Sequence, residues 1–464
     1  MMSREDSVIA AVLPAPVPRR GRLPFFEFFR TLRDNMVATY GAEAYERDIV
    51  ERKMFGRRRF LVSEPAAIKH VLLDNAANYR KTEITRRILE PGLGKGLITS
   101  EGETWRQHRR TMSPSFDHRS IASYAPLMTA AALELSAEWD GLGADAPVEV
   151  ATAMMSATLA IISRTMFSSD SDRMVAIMER GAGRYQRQMR PNMMDFLGFP
   201  AWLAGLGRAG VADRTLGEFD GEIDRLIALR SSNPEDGPKD LLARLIAARD
   251  EQTGIGMSAQ EVRDHVITIF MAGHETTAMA MTWVWYLLSQ HAEVEAKLHA
   301  ELDAVLGGRI PGSQDLAKLT YTRMVIEESM RLYPPVHTIA REALGDDTVA
   351  GLRVPKGSAV LISPWVLHRH RRLWREPGRF DPERFAPEEA AARARFAYLP
   401  FGGGRRICIG AAFAMAEATL LLAAIGQRFR LRLLPGHPVE PQGLITLRPR
   451  HGMKMLVTPR GMHA

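Results

Sequence analysis

Residues 401–410 read FGGGRRICIG and contain Cys408, the sole cysteine of the 464-residue chain. Gly402, Gly403 and Gly404 strip this loop of side chains and let its backbone approach another group closely. A helical apolar pattern follows over 409–428. The sulfur therefore stands at a helix N-terminus, where free amides favour thiolate over thiol. Arg406 adds positive charge. A lone cysteine is most often a small buried hydrophobe, but this setting points to a nucleophile or a metal ligand.

The nucleophile reading needs a base, and no neighbouring histidine is recognisable. The ligand reading needs a metal content with one protein sulfur. Haem iron is such a metal, because the porphyrin supplies four nitrogens and the protein only an axial donor. One cysteine excludes disulfide frameworks, multi-cysteine zinc sites and cysteine-ligated iron–sulfur clusters.

The composition, 46% hydrophobic and 25% charged, is that of a globular protein. The net charge of +7 is concentrated in Arg57 to Arg59, Arg106 to Arg110 and His368 to Arg372. No aromatic-interleaved basic stripe accompanies these clusters, which argues against nucleic acid. The apolar run Val8 to Leu13 is too short for a signal peptide or a bilayer span. Val266 to Leu288 is long enough to span. However, His274, Glu275, Thr276 and Thr277 sit at its midpoint, so a buried core helix is expected instead. No membrane anchor and a cytoplasmic location are expected.

The periodicity predicts a mainly α chain with a minor β part. Residues 54–63 read as a strand and 66–75 as a short helix. A basic helix follows the turn near 101. Residues 190–210 are apolar yet rich in Gly and Pro, like a mobile flap. Ser258 and Glu261 form a capping box that opens a helix to about Gln290. Another helix covers 318–332. TVAGLRVPKGSAVLIS alternates around Pro-Lys-Gly like a hairpin, and three short strands close the chain.

Phe401, Gly404, Arg406, Cys408 and Gly410 match Phe-x-x-Gly-x-Arg-x-Cys-x-Gly. This pattern resembles the haem-thiolate loop of the cytochrome P450 family. Ala272-Gly-His-Glu-Thr-Thr277 is similar to the family's oxygen-activating motif, Glu328-Ser-Met-Arg331 to its Glu-x-x-Arg helix, and Phe380 to Phe385 to its downstream arginine segment. Trp105 with Arg109 resembles its Trp-x-x-x-Arg helix. Together the motifs span roughly 50–460 in the family's order. The resemblance implies one cytochrome P450 domain over 1–464, with 1–49 its least defined part. Haem b would lie between the long central helix and the cysteine-loop helix.

The resemblance also implies roles. Cys408 is the proximal ligand, Phe401 shields its sulfur and Gly410 lets the next helix approach the macrocycle. Arg406, Arg109, Trp105, Arg341 and Lys81 hold the haem propionates, which suit arginine forks. Thr276 steadies oxygen, Glu275 feeds a proton relay, and a local helix distortion there frees backbone groups for water. Glu328, Arg331 and Arg384 form a buried network under the cysteine loop.

The implied activity is insertion of one atom of O2 into a hydrophobic molecule, such as a fatty acid, terpenoid or aromatic. Arg86 or Arg87 are candidate anchors for a fatty-acid carboxylate. With no fused reductase after residue 464, electrons are expected from an acidic ferredoxin or flavodoxin, steered by Arg106, Arg110, Arg405 and His368 to Arg372. Peroxide-driven or isomerising haem-thiolate chemistry and a non-catalytic haem sensor are the alternatives. Neither accounts for the Glu275-Thr276 pair.

Overall fold

The computed structural model describes residues 13–21, 23–54, 56–168, 172–177, 209–232 and 237–461. The expected flap at 190–210 lies almost wholly outside these residues. The fold is organised around a central helix, Ala259–Gln290. Ser258 starts it: the Ser258 hydroxyl accepts from Glu261 N–H, and the Glu261 carboxylate accepts from Ser258 N–H at 2.8 Å. Beyond this cap the helix is apolar nearly all round and buried from Val262 to Leu288 apart from a few positions, as a core helix must be.

The helix Val150–Phe167 packs along the central helix. Its length and hydropathy would also suit a bilayer, yet 61% of it is buried inside the protein. Trp283 on the central helix stacks on Tyr333 with ring centroids 4.1 Å apart. The cysteine helix, Ala411–Gly426, packs against the same core.

The β part is set to one side. A five-stranded sheet has the order β1 (Ile49–Met54), β2 (Arg57–Val62), β8 (Ala359–Ile362), β5 (Ile339–Ala343), β3 (Tyr79–Arg80). Only β2 and β8 run parallel. The stretch expected to be one strand at 54–63 is instead the second half of a hairpin that turns at Gly56, whose φ is 76°. The expected hairpin around Pro355-Lys356-Gly357 is also different. β6 (Asp347–Val349) and β7 (Leu352–Val354) pair through a turn at Ala350-Gly351, and the chain then crosses to β8.

Near the C-terminus, β9 (Phe429–Leu433) and β12 (Lys454–Pro459) form a sheet with β4 (Ala146–Glu149). β10 (Pro441–Gly443) and β11 (Leu447–Pro449) form a small hairpin. This hairpin is clamped to the N-terminal region. Asn35 Nδ2 donates to the Pro441 carbonyl at 2.9 Å, and Gly443 N–H donates to Asn35 Oδ1 at 2.8 Å.

The helix Thr320–Leu332 carries Glu328 and Arg331, both fully buried. Arg331 makes two bonds to the Glu328 carboxylate, at 2.6 and 2.7 Å. Its remaining N–H groups donate to the carbonyls of His368, Pro377 and Arg379. Arg384 Nε approaches Glu328 at 3.5 Å. A buried ion pair needs every donor satisfied, and this one fastens two backbone segments, at His368 and at Pro377 to Arg379.

Candidate active site

The cysteine loop is shaped by backbone contacts. Gly402 and Gly404 have φ of 71° and 67°. A Cβ on Gly404 would lie 1.9 Å from the Leu72 carbonyl oxygen, so only glycine fits there. Cys408 N–H donates to the Phe401 carbonyl at 2.9 Å and closes the loop. Phe401 itself is half-buried against the main core. At Gly410 a Cβ would meet nothing within 4 Å, so the approach to the cysteine helix is open.

Cys408 is exposed. The protein massed around it still withdraws enough water for burial to push the thiol up. The Gly410 amide and Arg109 pull it down, but desolvation prevails. The expected preference for thiolate is therefore not produced by the polypeptide alone. Arg406 is engaged instead by Glu101 and by the Ser100 carbonyl at 3.0 Å. A cation bound at the sulfur would reverse the balance, since coordination deprotonates a thiol outright.

Arg406 also lies over the Trp105 ring, 4.3 Å from its centroid. Arg109 Nη1 donates to the Ile407 carbonyl at 2.9 Å, next to the cysteine. Lys81 Nζ donates to the Ile98 carbonyl, and Arg341 Nη1 to the Ala340 carbonyl at 3.0 Å. Burial, reinforced by Arg406 and Arg341, drives the Lys81 ammonium well below its usual range. Burial and Arg406 bring Arg341 down to about 10. Lys81, Arg341 and Arg406 thus crowd together, with the Glu101 carboxylate, among the described residues, the one anion acting on all three. Buried charges call for partners. A cofactor bearing two carboxylates fits this surplus, and an iron seeking one sulfur donor fits Cys408.

On the central helix, Thr276 Oγ1 donates to the Ala272 carbonyl at 2.7 Å. The expected distortion is absent: the helix runs on without a break from Ala259 to Gln290. Glu275 Oε1 accepts from Thr446 Oγ1 at 2.6 Å and from Arg448 Nη2 at 2.8 Å. Sequence reasoning missed Glu101, Thr446 and Arg448, since no local spacing links them to their partners.

A cavity of about 1140 Å³ reaches Glu275, Lys81, Arg341 and Arg448. Ile84, Ile88, Leu89, Val336, Ile339 and Leu444 give it apolar walls. Cys408 and Thr276 are outside its lining. Arg86 and Arg87, the candidate carboxylate anchors, pair instead with Glu83 and Glu90.

The Cytochrome P450 family model matches residues 13–455. Cyclooctatin synthase of Streptomyces melanosporofaciens is 38% identical over 421 residues, covering 89% of each chain. Pentalenene oxygenase of Streptomyces avermitilis is 33% identical, covering 79% of this chain and 80% of its own. The crystal structure of the cytochrome P450DA heme domain superposes with a TM-score of 0.81 at 25% identity, covering 97% of this chain and 99% of that one. With a family match over nearly its whole length, the chain belongs to the cytochrome P450 family and is a haem-dependent monooxygenase.

Proposed function

We propose that this enzyme hydroxylates an apolar terpenoid, using haem b and electrons from a separate acidic ferredoxin or flavodoxin. The observation that supports the haem assignment is the crowded group of cations Lys81, Arg341 and Arg406, the last of them two residues from Cys408 in the same loop. When bound, haem supplies the redox chemistry that activates O2. Cys408 Sγ would be its axial donor, covered by Phe401, with Gly410 leaving room. Arg406, Arg109, Arg341, Lys81 and the Trp105 indole would hold its propionates. Glu275 would move a proton at its carboxylate toward the cleft, and the Thr276 hydroxyl would order water beside it.

The apolar cavity and the names of the two Streptomyces relatives support a terpenoid. The pairing of Arg86 and Arg87 with glutamates weakens the case for a fatty-acid carboxylate anchored there. For the electron donor, Arg106 and Arg110 are tied to Glu103 and Asp250, and Arg371 and Arg372 to Glu46 and Asp48. Arg405 is exposed and in no ion pair among the described residues, which makes it the sharpest probe. Arg405→Glu should slow reduction by the protein donor and leave substrate binding intact.

The absorption spectrum of the reduced protein with carbon monoxide tests the whole reading. A Soret band far to the red of histidine-ligated haem supports thiolate ligation. Its absence from folded, haem-loaded protein would overturn the assignment.

A further inference from the structure

We infer that Glu101 is a positioning residue for the haem: it is the third carboxylate of a charge-balanced group whose other two are the propionates, and its charge holds the reduction potential of the iron down. The inference rests on the haem reading above. Glu101 occupies the N-cap position of the helix Gly102–Met112, yet its side chain makes no capping bond there. An acidic side chain at a helix start is placed to accept the free amides. This one turns away. Its Oε1 accepts from the Lys81 amide at 2.9 Å, and its Oε2 accepts from the Arg406 guanidinium. Glu101 thereby ties the end of β3 to the cysteine loop. Arg406 is fixed further by the Ser100 carbonyl and the face of Trp105.

Lys81, Arg341 and Arg406 bring three positive charges, and Glu101 brings one negative charge. Two positive charges are left over. The other carboxylates of the neighbourhood are committed: Glu342 pairs with Arg80, and Glu83 with Arg86 and Arg87. The Lys81 ammonium and Arg341 donate to backbone carbonyls, which carry no charge. Two propionates bring the group to neutrality, as buried charges require. Without Glu101 the same cations would face the propionates with one positive charge to spare. A spare positive charge beside the haem favours the iron state that holds one more electron. The Glu101 carboxylate cancels that charge. Arg406 and Glu101 are only 15% and 27% exposed, so salt screens the effect poorly.

The test is a spectroelectrochemical titration of the full-length, haem-loaded protein, with the carbon monoxide spectrum recorded for every variant. Glu101→Gln keeps the shape and removes the charge. It should raise the potential, so that the ratio of reduced to oxidised haem at a fixed applied potential rises by about three- to tenfold. Tenfold is about 59 mV for one electron. Glu101→Asp keeps the charge and should stay near the parent. Glu103→Gln, on the same helix and paired with Arg106, should change nothing. Arg341→Gln takes a cation from the same group and should move the ratio the other way. It decides the matter if Glu101→Gln fails to take up haem. A thiolate Soret band with an unmoved potential in Glu101→Gln would overturn the inference. So would an unmoved potential in Arg341→Gln, or an equal shift from Glu103→Gln, which means general surface charge. Absence of that band from the haem-loaded parent would overturn the thiolate reading instead.

Discussion

Glu275 on the central helix is bound by Arg448 across the cavity wall, Oε1 to Nη2 at 2.8 Å, with Thr446 donating to the same oxygen. The carboxylate proposed to deliver protons is therefore held by two residues from one end of the β10–β11 hairpin. Glu275→Gln keeps the shape and removes the transferable proton. Turnover should fall roughly a hundredfold or more, with the carbon monoxide spectrum unchanged. Arg448→Gln should cost about 1–3 kcal/mol, because the pair is only partly shielded from solvent. Steady-state kinetics and thermal melts check the two separately.

The cysteine loop offers a contrast between two glycines of like φ. Gly402→Ala meets only the Ile339 methyl at 3.8 Å, so its cost should be the backbone strain of about 1–2 kcal/mol. Gly404→Ala would drive a methyl into the Leu72 carbonyl and should cost about 4 kcal/mol or more. Denaturant melts and the fraction of protein giving the thiolate Soret band should rank the two variants in that order.

Arg331→Ala leaves Glu328 buried and three carbonyls without donors. A loss of about 3–5 kcal/mol is expected, read as failure to recover folded, haem-containing protein. Arg384→Ala removes a partner 3.5 Å from Glu328 and should be milder.

Glu417 on the cysteine helix is 2% exposed. Burial pushes its carboxyl from 4.5 up to about 8, against the pull of the Thr277 hydroxyl. The folded protein therefore binds a proton that the unfolded chain releases. Stability should decline as pH rises from about 4.5 to about 8 and level off beyond. The slope should be at most about 1.4 kcal/mol per pH unit. Glu417→Gln should flatten that decline and melt higher than the parent on the alkaline side. Melts of both proteins across this range test the claim; parallel curves would refute it.

What could be read from the sequence was what short spacing encodes. The Ser258 cap, the Glu328–Arg331 pair and the glycines beside Cys408 each involve residues within a few positions of one another. Arg448 lies 173 residues from Glu275, and Arg406 lies 305 from Glu101. Nothing local marks either pair. The hairpin at Gly56 was hidden because Arg57 to Val62 has the same alternation whether it follows a strand or a loop. Burial pushing the Cys408 thiol up was equally hidden, since a helix end is a local feature and desolvation depends on everything packed around it.

The Asn35 clamp on Pro441 and Gly443 has a temporal meaning. A ribosome delivers Asn35 more than 400 residues before its partners, and Thr446 and Arg448 arrive in the same late segment. The nascent chain can assemble its helices early, but the cavity floor lacks the β10–β11 hairpin until residues 441–449 have been made. A truncated product ending near residue 435 would keep the cysteine loop and lack the floor. Synthesis of this hairpin is thus the step that completes the cavity wall.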